Sequence, residues 1–307
     1  MDLKITHCSR LKRDLWDDLV RGGERPRVYG MSDYVEAVSP RKWAVLTDAD
    51  FNCGLLLFPR KKWGLTYLTV PPFVQISGLY GNGVSEEILH SMLGYLQQSY
   101  AKAALSVSQP SESWPAKWNG EKRVNFYLPL NESYTALSER YKSRLKRVLK
   151  KDPGLNFTKE KISEEFHSFA EKHYPAVVVG AVSPKHLHQY LTGCDKAGLS
   201  RLYCCRNSGG ELIAALFTVC WSDRIYLTCP VSSPVGREVA AMHFLIDHLI
   251  REYSSSPRVL DFEGSSIAGV AQFYRQFAPQ TEYFYSLEKP LLTTALDKAF
   301  SKYVGRG

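Results

Sequence analysis

The strongest constraint on this chain is that one order of predicted elements occurs twice. Residues Trp43–Thr47, Cys53–Pro59 and Leu65–Val70 read as three strands separated by turn-type residues, and Leu202–Arg206, Glu211–Trp221 and Arg224–Val231 read the same way. Short turns, Asn207-Ser208-Gly209-Gly210 and Ser222-Asp223, make the second set a hairpin meander. The two meanders end alike, at Tyr67-Leu68-Thr69-Val70-Pro71 and Tyr226-Leu227-Thr228-Cys229-Pro230. After each come a polar loop, a helix ending near Tyr100 or Tyr253, and a short strand. Repetition over about 150 residues argues for a duplicated domain. It predicts an N-terminal domain 1–130 and a C-terminal domain 131–307, with the boundary near Asn131.

The helices follow from apolar spacing. Val84–Tyr100 places Ile88, Leu89, Met92, Leu93 and Leu96 on one side, with Ser85 as cap and Glu86 and Glu87 at the positive end of the dipole. Glu132–Lys151 reads as one long helix stopped by Asp152-Pro153-Gly154. Further helices are expected at Ser9–Arg21, Ser163–His173, Ser183–Ala197, Arg237–Tyr253, Gly269–Phe277 and Leu292–Tyr303, and final strands at Val124–Leu130 and Tyr283–Leu287.

Composition removes several classes. A chain of 307 residues with 44% hydrophobic and 23% charged residues buries a core without disulfide or metal staples, which excludes disorder and coiled coil. Met1–Val20 is charged throughout, which predicts no signal peptide, and the longest apolar run, Leu212–Trp221, is about half of a membrane-spanning helix. Seven scattered cysteines without a C-x-x-C predict a reduced, cytoplasmic setting. On a strand, Cys204 and Cys205 point to opposite faces, which disfavours a redox pair. The eight histidines form no ligand set, and neither H-E-x-x-H nor a Walker A loop is present, so no metal is expected. A net charge of +8 favours an anionic partner.

The element order β-α-α-β-β-β-α-β-α-β resembles the GNAT fold of acyl-CoA N-acyltransferases, in which the cofactor lies at a splayed pair of parallel strands. Two such units resemble the Fem family of aminoacyl-tRNA-dependent peptidyltransferases and their bacterial GNAT-like relatives. The closest local likeness is Leu260-Asp261-Phe262-Glu263-Gly264-Ser265 followed by Gly269-Val270-Ala271-Gln272-Phe273-Tyr274-Arg275-Gln276-Phe277, similar to the D-F-x-G and F-K/R-x-F-G run of the Fem-like group. The implied fold is α+β, with two tandem GNAT-like domains, each a mixed sheet flanked by helices. The implied activity is N-acyl transfer from acyl-CoA or aminoacyl-tRNA to an amine, with a cell-envelope or polysaccharide precursor as candidate acceptor. The second domain is expected to keep the cleft and the first to be partly degenerate.

Individual residues receive roles on this basis. Alternation along Val259–Glu263 puts Asp261 and Glu263 on one strand face. Glu263 is the candidate general base and Asp261 the group orienting the amine, since paired like charges raise one pKa toward neutrality. The competing expectation is that one of them pairs with an arginine at the domain interface while the other faces water. Tyr274 and Tyr285 are candidate general acids, although among 18 tyrosines packing competes with that role for either one. Ser265 and Ser266 either donate to an oxyanion or cap the following helix. The GNAT pyrophosphate loop Q/R-x-x-G-x-G/A corresponds to Ser232–Ala240, which has one glycine and lacks the second small residue in place. Val231, Ser232, Ser233, Gly236 and Arg237 are the candidate cofactor contacts. Seven of the twelve residues from Arg140 to Lys151 are basic, and Arg144, Lys146 and Arg147 are the candidate contacts to an anionic substrate. A non-catalytic protein that holds an anionic polymer or nucleotide through residues 140–151 is the alternative.

Overall fold

Each repeat of the sequence folds around an apolar cluster of its own in the computed structural model, which describes residues 1–151, 153–174, 182–264 and 267–291. One unit comprises Met1–Arg123 together with the chain from Tyr283 onward, and the other comprises Val124–Glu282.

The first unit begins with β1 (Leu3–His7), followed by the helices Arg13–Gly22 and Ser32–Val38. Strands β2 (Ala44–Asp48) and β3 (Cys53–Leu57) come next, then the hairpin of β4 (Pro59–Lys62) and β5 (Leu65–Leu68), and then β6 (Leu79–Gly81). The sheet order is β1-β2-β3-β6, all antiparallel, while β4 and β5 form a two-stranded sheet, with a parallel bridge from Tyr67 of β5 to Lys102. The Glu86–Ser99 helix is capped as its sequence predicts, Ser85 Oγ accepting from the Ile88 N–H at 3.4 Å. It buries Leu89, Met92, Leu93 and Leu96 and leads to β7 (Ala103–Val107).

The second unit starts within β8 (Asn119–Pro129). Here the expected long helix is two short ones, Tyr134–Glu139 and Ser143–Leu149. Lys142 between them is extended (φ −61°, ψ 146°), and its N–H donates to the Gln276 carbonyl at 2.9 Å, while Tyr141 and Leu145 are buried. Local propensity favours one helix, and these tertiary contacts break it. Then follow β9 (Asn156–Glu160), the helices Glu164–His173 and Pro184–Lys196, and the meander β10 (Ser200–Arg206), β11 (Leu212–Trp221) and β12 (Arg224–Ser232). The continuous apolar run of β11 is buried along most of its length, as a central strand covered on both faces requires. The expected Arg237–Tyr253 helix is also divided, into Pro234–Glu238 and Ala241–Tyr253. Strand β13 (Val259–Asp261) and the helix Ala268–Tyr274 complete the unit, whose strands run β8-β13-β12-β11-β10-β9.

The final strands do not stay with the halves that the sequence order suggests. Val124–Pro129 of β8 belongs to the second unit, where Leu128 faces Leu260. The residues of β14 (Gln280–Lys289) from Tyr283 onward belong to the first unit, where Tyr285 faces Val107 and Leu287 faces Leu105. The expected helix Leu292–Tyr303 lies outside the described residues. All seven cysteines are free, and Cys204 and Cys205 sit side by side in β10, both fully buried. No helix among the described residues is long and apolar enough to cross a membrane.

Candidate active site

The site of the second unit is built where two parallel strands part. Strands β12 and β13 pair over three positions only: Arg224 with Val259, Ile225 with Leu260, and Tyr226 with Asp261. Beyond Tyr226, β12 runs on to Ser232 against β11. The chain after Asp261 turns the other way, because the Phe262 N–H donates to the Phe126 carbonyl of β8 at 2.9 Å. The Phe262 ring is fully buried and packs on Tyr274 (5.0 Å between centroids) and Phe277 (5.9 Å). An anchored β12 on one side and a core-bound Phe262 on the other open a wedge.

Asp261 closes the narrow end of that wedge. Its carboxylate is 1% exposed and meets Arg224 Nη1 at 2.6 Å, while Asn125 Nδ2 donates to its Oδ1 at 2.9 Å. Glu282 accepts from Arg224 Nη1 and from Asn125 Nδ2, at 2.8 and 2.9 Å. Burial opposes the charge on Arg224, but Asp261 and Glu282 outweigh it and hold the guanidinium above its ordinary pKa. Loss of one member of such a buried pair costs about 3–5 kcal/mol. One of the two expected carboxylates therefore does pair with an arginine, and that arginine belongs to the same unit.

Glu263 lies just past this lock. Strand β13 ends at Asp261, so strict alternation does not carry Glu263 onto the face of Asp261. Instead the Glu263 N–H donates to Asp261 Oδ1 at 3.1 Å, and Glu263 and Gly264 turn the chain at φ 50° and 59°. A glutamate held in the left-handed region is strained, and such strain is characteristic of functional positions. Its side chain is partly buried. Two phenols sense its charge. Burial first, then Cys229 and Glu263, push Tyr174 upward, and burial followed by Glu263 and Asp261 does the same to Tyr274. Both phenols hold their protons at neutral pH.

The remaining candidates are placed as follows. Val231 is buried opposite Ala215, and Ser232 pairs with Ala214 and accepts from Arg237 Nη1 at 2.6 Å. Ser233 caps the Pro234–Glu238 helix, its Oγ accepting from the Gly236 N–H at 3.1 Å. Its own N–H donates to the Ile213 carbonyl at 2.9 Å, and the Arg237 N–H donates to the Ser233 carbonyl at 3.0 Å. A Cβ on Gly236 would come within 2.1 Å of the Ile213 oxygen, so glycine is required there by backbone packing. Within the stretch corresponding to the pyrophosphate loop, the N–H groups of 233, 236 and 237 are bonded within the chain. This segment does not fit coenzyme A as a GNAT phosphate loop does. The Ala241–Tyr253 helix is different: Ala240 enters it at φ 57°, and its N-cap residue makes no side-chain cap. His243 in its first turn lies in the field of Arg144.

Arg144, Lys146 and Arg147 are exposed, with Lys146 Nζ donating to the Glu139 carbonyl at 2.5 Å. Tyr285 lies in the first unit, its ring 5.5 Å from that of Trp114. Ser265 and Ser266 lie outside the described residues. Among those described, no group of three or more His, Cys, Asp or Glu residues could hold a metal ion. Sequence reasoning missed Arg224, Asn125, Glu282 and Tyr174. Only Arg224 left a signal there: it is the one charged residue among the apolar positions of β12.

A parallel pair that parts beside a long helix is the architecture of acyltransferases of the GNAT type. Residues 139–274 match the family model described as acetyltransferase (GNAT) domain. The chain is similar in structure to FemX (TM-score 0.59, 11% identity, covering 92% of this chain and 96% of that one). It is also similar to L-PGS from Bacillus licheniformis (TM-score 0.56, 11% identity, 97% and 98% covered). A tandem GNAT protein from the clavulanic acid biosynthesis pathway gives a TM-score of 0.54 at 10% identity, with 94% and 98% covered. No curated protein sequence matches the chain. The fold class is thus α+β with tandem GNAT-like units, and the resemblance to GNAT and Fem-like proteins holds.

Proposed function

We propose that the second unit is an N-acyltransferase that moves an acyl or aminoacyl group from an activated donor to an amine. The observation that carries this reading is the parting of β12 and β13 with Glu263 at its mouth. In the proposed reaction the neutral amine attacks the donor carbonyl and forms the C–N bond, and Glu263 accepts the proton released by nitrogen. The bond from carbon to the donor's sulfur or oxygen then breaks, and a phenol that has kept its proton, Tyr274 or Tyr174, protonates the leaving group. Asp261 acts through the backbone: locked by Arg224, it positions the Glu263 N–H.

The uncapped start of the Ala241–Tyr253 helix and the Arg144 charge beside His243 suit an anionic part of the donor. Acyl-CoA and aminoacyl-tRNA are both candidate donors. The test is a transfer assay with acetyl-CoA and with a charged tRNA on wild type and Glu263→Gln. A loss of about 10²-fold or more in the variant supports the reading, since general base catalysis contributes about that much. Activity within a few-fold of wild type removes Glu263 from the mechanism.

One observation favours a second reading. The internally bonded 231–237 segment and the exposed Arg144, Lys146 and Arg147 suit a protein that holds an anionic polymer or nucleotide without chemistry. Salt-sensitive retention on heparin or RNA, with no thermal stabilisation by acetyl-CoA or an aminoacyl-tRNA mimic, would select it.

A further inference from the structure

The β4–β5 hairpin lies in the first unit, whereas the residues proposed for acyl transfer lie in the second. Lys62 faces Leu65 across it, Lys61 faces Thr66 and Arg60 faces Tyr67. Trp63 and Gly64 make the turn, at φ 50° and 77°. Positive φ at both central positions is the requirement of a type I′ turn, which Asn-Gly or Asp-Gly satisfies without strain. A tryptophan there holds a bulky side chain in the left-handed region, where its Cβ crowds the backbone.

Packing does not repay that strain. Trp63 is 63% exposed and Leu65 40%, whereas Trp16 and Trp43 are completely buried. A Cβ added at Gly64 would meet nothing within 4 Å. The strained backbone displays the indole and does not bury it, which is the pattern of a functional position.

Charge indicates what the indole meets. The ten residues Pro59–Leu68 include Arg60, Lys61 and Lys62 and no acidic residue. Arg60 is tied to the Lys42 carbonyl at 2.8 Å and to Ser39 Oγ at 2.9 Å, and so serves the fold. Lys61 is exposed, and Lys62 Nζ lies 5.5 Å from the centre of the Trp63 ring. An amphipathic ring at the tip, an aliphatic side chain beside it and lysines behind both match the boundary layer of a bilayer with negative headgroups. Indoles concentrate at headgroup level, and lysines are drawn to the anionic surface.

We propose that the β4–β5 hairpin docks this protein on an anionic lipid surface, with Trp63 and Leu65 entering the headgroup layer and Lys61 and Lys62 supplying the attraction. The inference is independent of the acyl-transfer reading. It is tested by co-sedimentation of the full chain with vesicles of phosphatidylcholine alone or mixed with phosphatidylglycerol. Wild type should be retained by the mixed vesicles only, less so as salt rises. Lys61→Gln with Lys62→Gln should weaken retention about 25-fold, roughly five-fold for each lysine.

Trp63→Asn is the decisive variant, because asparagine suits the turn. It should lose retention while its thermal unfolding midpoint stays level or rises. A tryptophan needed only for folding would give the reverse, a lowered midpoint with retention intact, and would overturn the proposal. Failure of wild type to bind the mixed vesicles would overturn it too. So would binding of a single-stranded RNA oligonucleotide through the same residues in the absence of vesicle binding.

Discussion

The two units share four of the five residues of a Tyr-Leu-Thr-x-Pro run at corresponding points, and they differ in what stands opposite it. In the second unit Tyr226 pairs in parallel with Asp261, and in the first Tyr67 forms a parallel bridge with Lys102. Each tyrosine opens a Tyr-Leu-Thr-x-Pro run. Two residues beyond these partners in the chain, the second unit has Glu263 and the first has Ala104. The neighbouring space differs as well. In the second unit β12 pairs with β11 as far as Ser232, whereas in the first β5 leaves the main sheet and β6 takes the place beside β3. Ile76, Ser77, Leu79 and Tyr80, at and before β6, are buried there. The second unit has a carboxylate where its strands part, while the first has Ala104 and buried side chains at the corresponding place. On the proposed reading, acyl transfer belongs to the second unit.

The sharpest way to break this comparison is at Glu263. Glu263→Gln should lower transfer about 10²–10⁴-fold, with an unfolding midpoint close to wild type, as read by single-turnover acylation and thermal melts. Glu263→Gly, which suits φ 50°, should be equally inactive and no less stable. Ala104→Glu should confer nothing, because a carboxylate there has no Asp261–Arg224 lock beside it. Activity surviving in Glu263→Gln but lost on changing Ala104 would reverse the assignment of the working unit.

The lock itself is the next test. Arg224→Met leaves the buried Asp261 carboxylate without its cation and should cost about 3–5 kcal/mol in denaturant unfolding. Lys102, which stands in the first unit where Asp261 stands in the second, is partly exposed and should cost about 1 kcal/mol or less when changed to alanine. Recovery of stability in Arg224→Met plus Asp261→Leu would show that the pair contributes little net stability over an apolar contact.

Glycines give a smaller contrast between the two long-helix regions. Gly236→Ala drives a Cβ against the Ile213 oxygen and should destabilise by about 1–3 kcal/mol. In the first unit Gly94 lies inside the Glu86–Ser99 helix with nothing within 4 Å of an added Cβ. Gly94→Ala should therefore stabilise by about 0.5–1 kcal/mol. Equal effects at the two positions would mean that Gly236 is not packed as described.

What the sequence reveals follows the range of the interactions involved. Caps depend on neighbours in the chain, so Ser85 could be read directly, and it caps its helix; Ser163 and Ser183, at the starts of two further expected helices, cap theirs as well. The parting of β12 from β13 was legible only through likeness to a known fold. Its cause, the Phe262 bond to β8, joins residues 136 positions apart. The same holds for the break at Lys142, imposed by the Gln276 carbonyl, and for the exchange of final strands, which element order cannot express. Asp261 and Glu263 were found as a pair, but alternation assigned them one face because it took the strand two residues too far. Asn125 and Glu282 have no local pattern, since they matter only for meeting Arg224 and Asp261 in space.

The smallest expected effect is a pH dependence rooted in the second unit. Burial, reinforced by Arg144, holds His243 below the ordinary histidine pKa of 6.5. Burial and His188, whose ring centre is 4.1 Å away, do the same for His167 against the opposing pull of Glu164 and Asp195. For a base whose folded pKa is depressed, the unfolded chain takes up the proton more readily. The associated stability is complete above about pH 6.5 and is lost as the pH falls from there through the folded values. Hydrogen exchange should then show amides of β11 and the Ala241–Tyr253 helix losing protection below pH 6.5 before those of β2 and the Glu86–Ser99 helix. His167→Gln with His243→Gln should flatten that loss. A dependence that persists in the double variant, or that weakens both units together, would place its origin elsewhere.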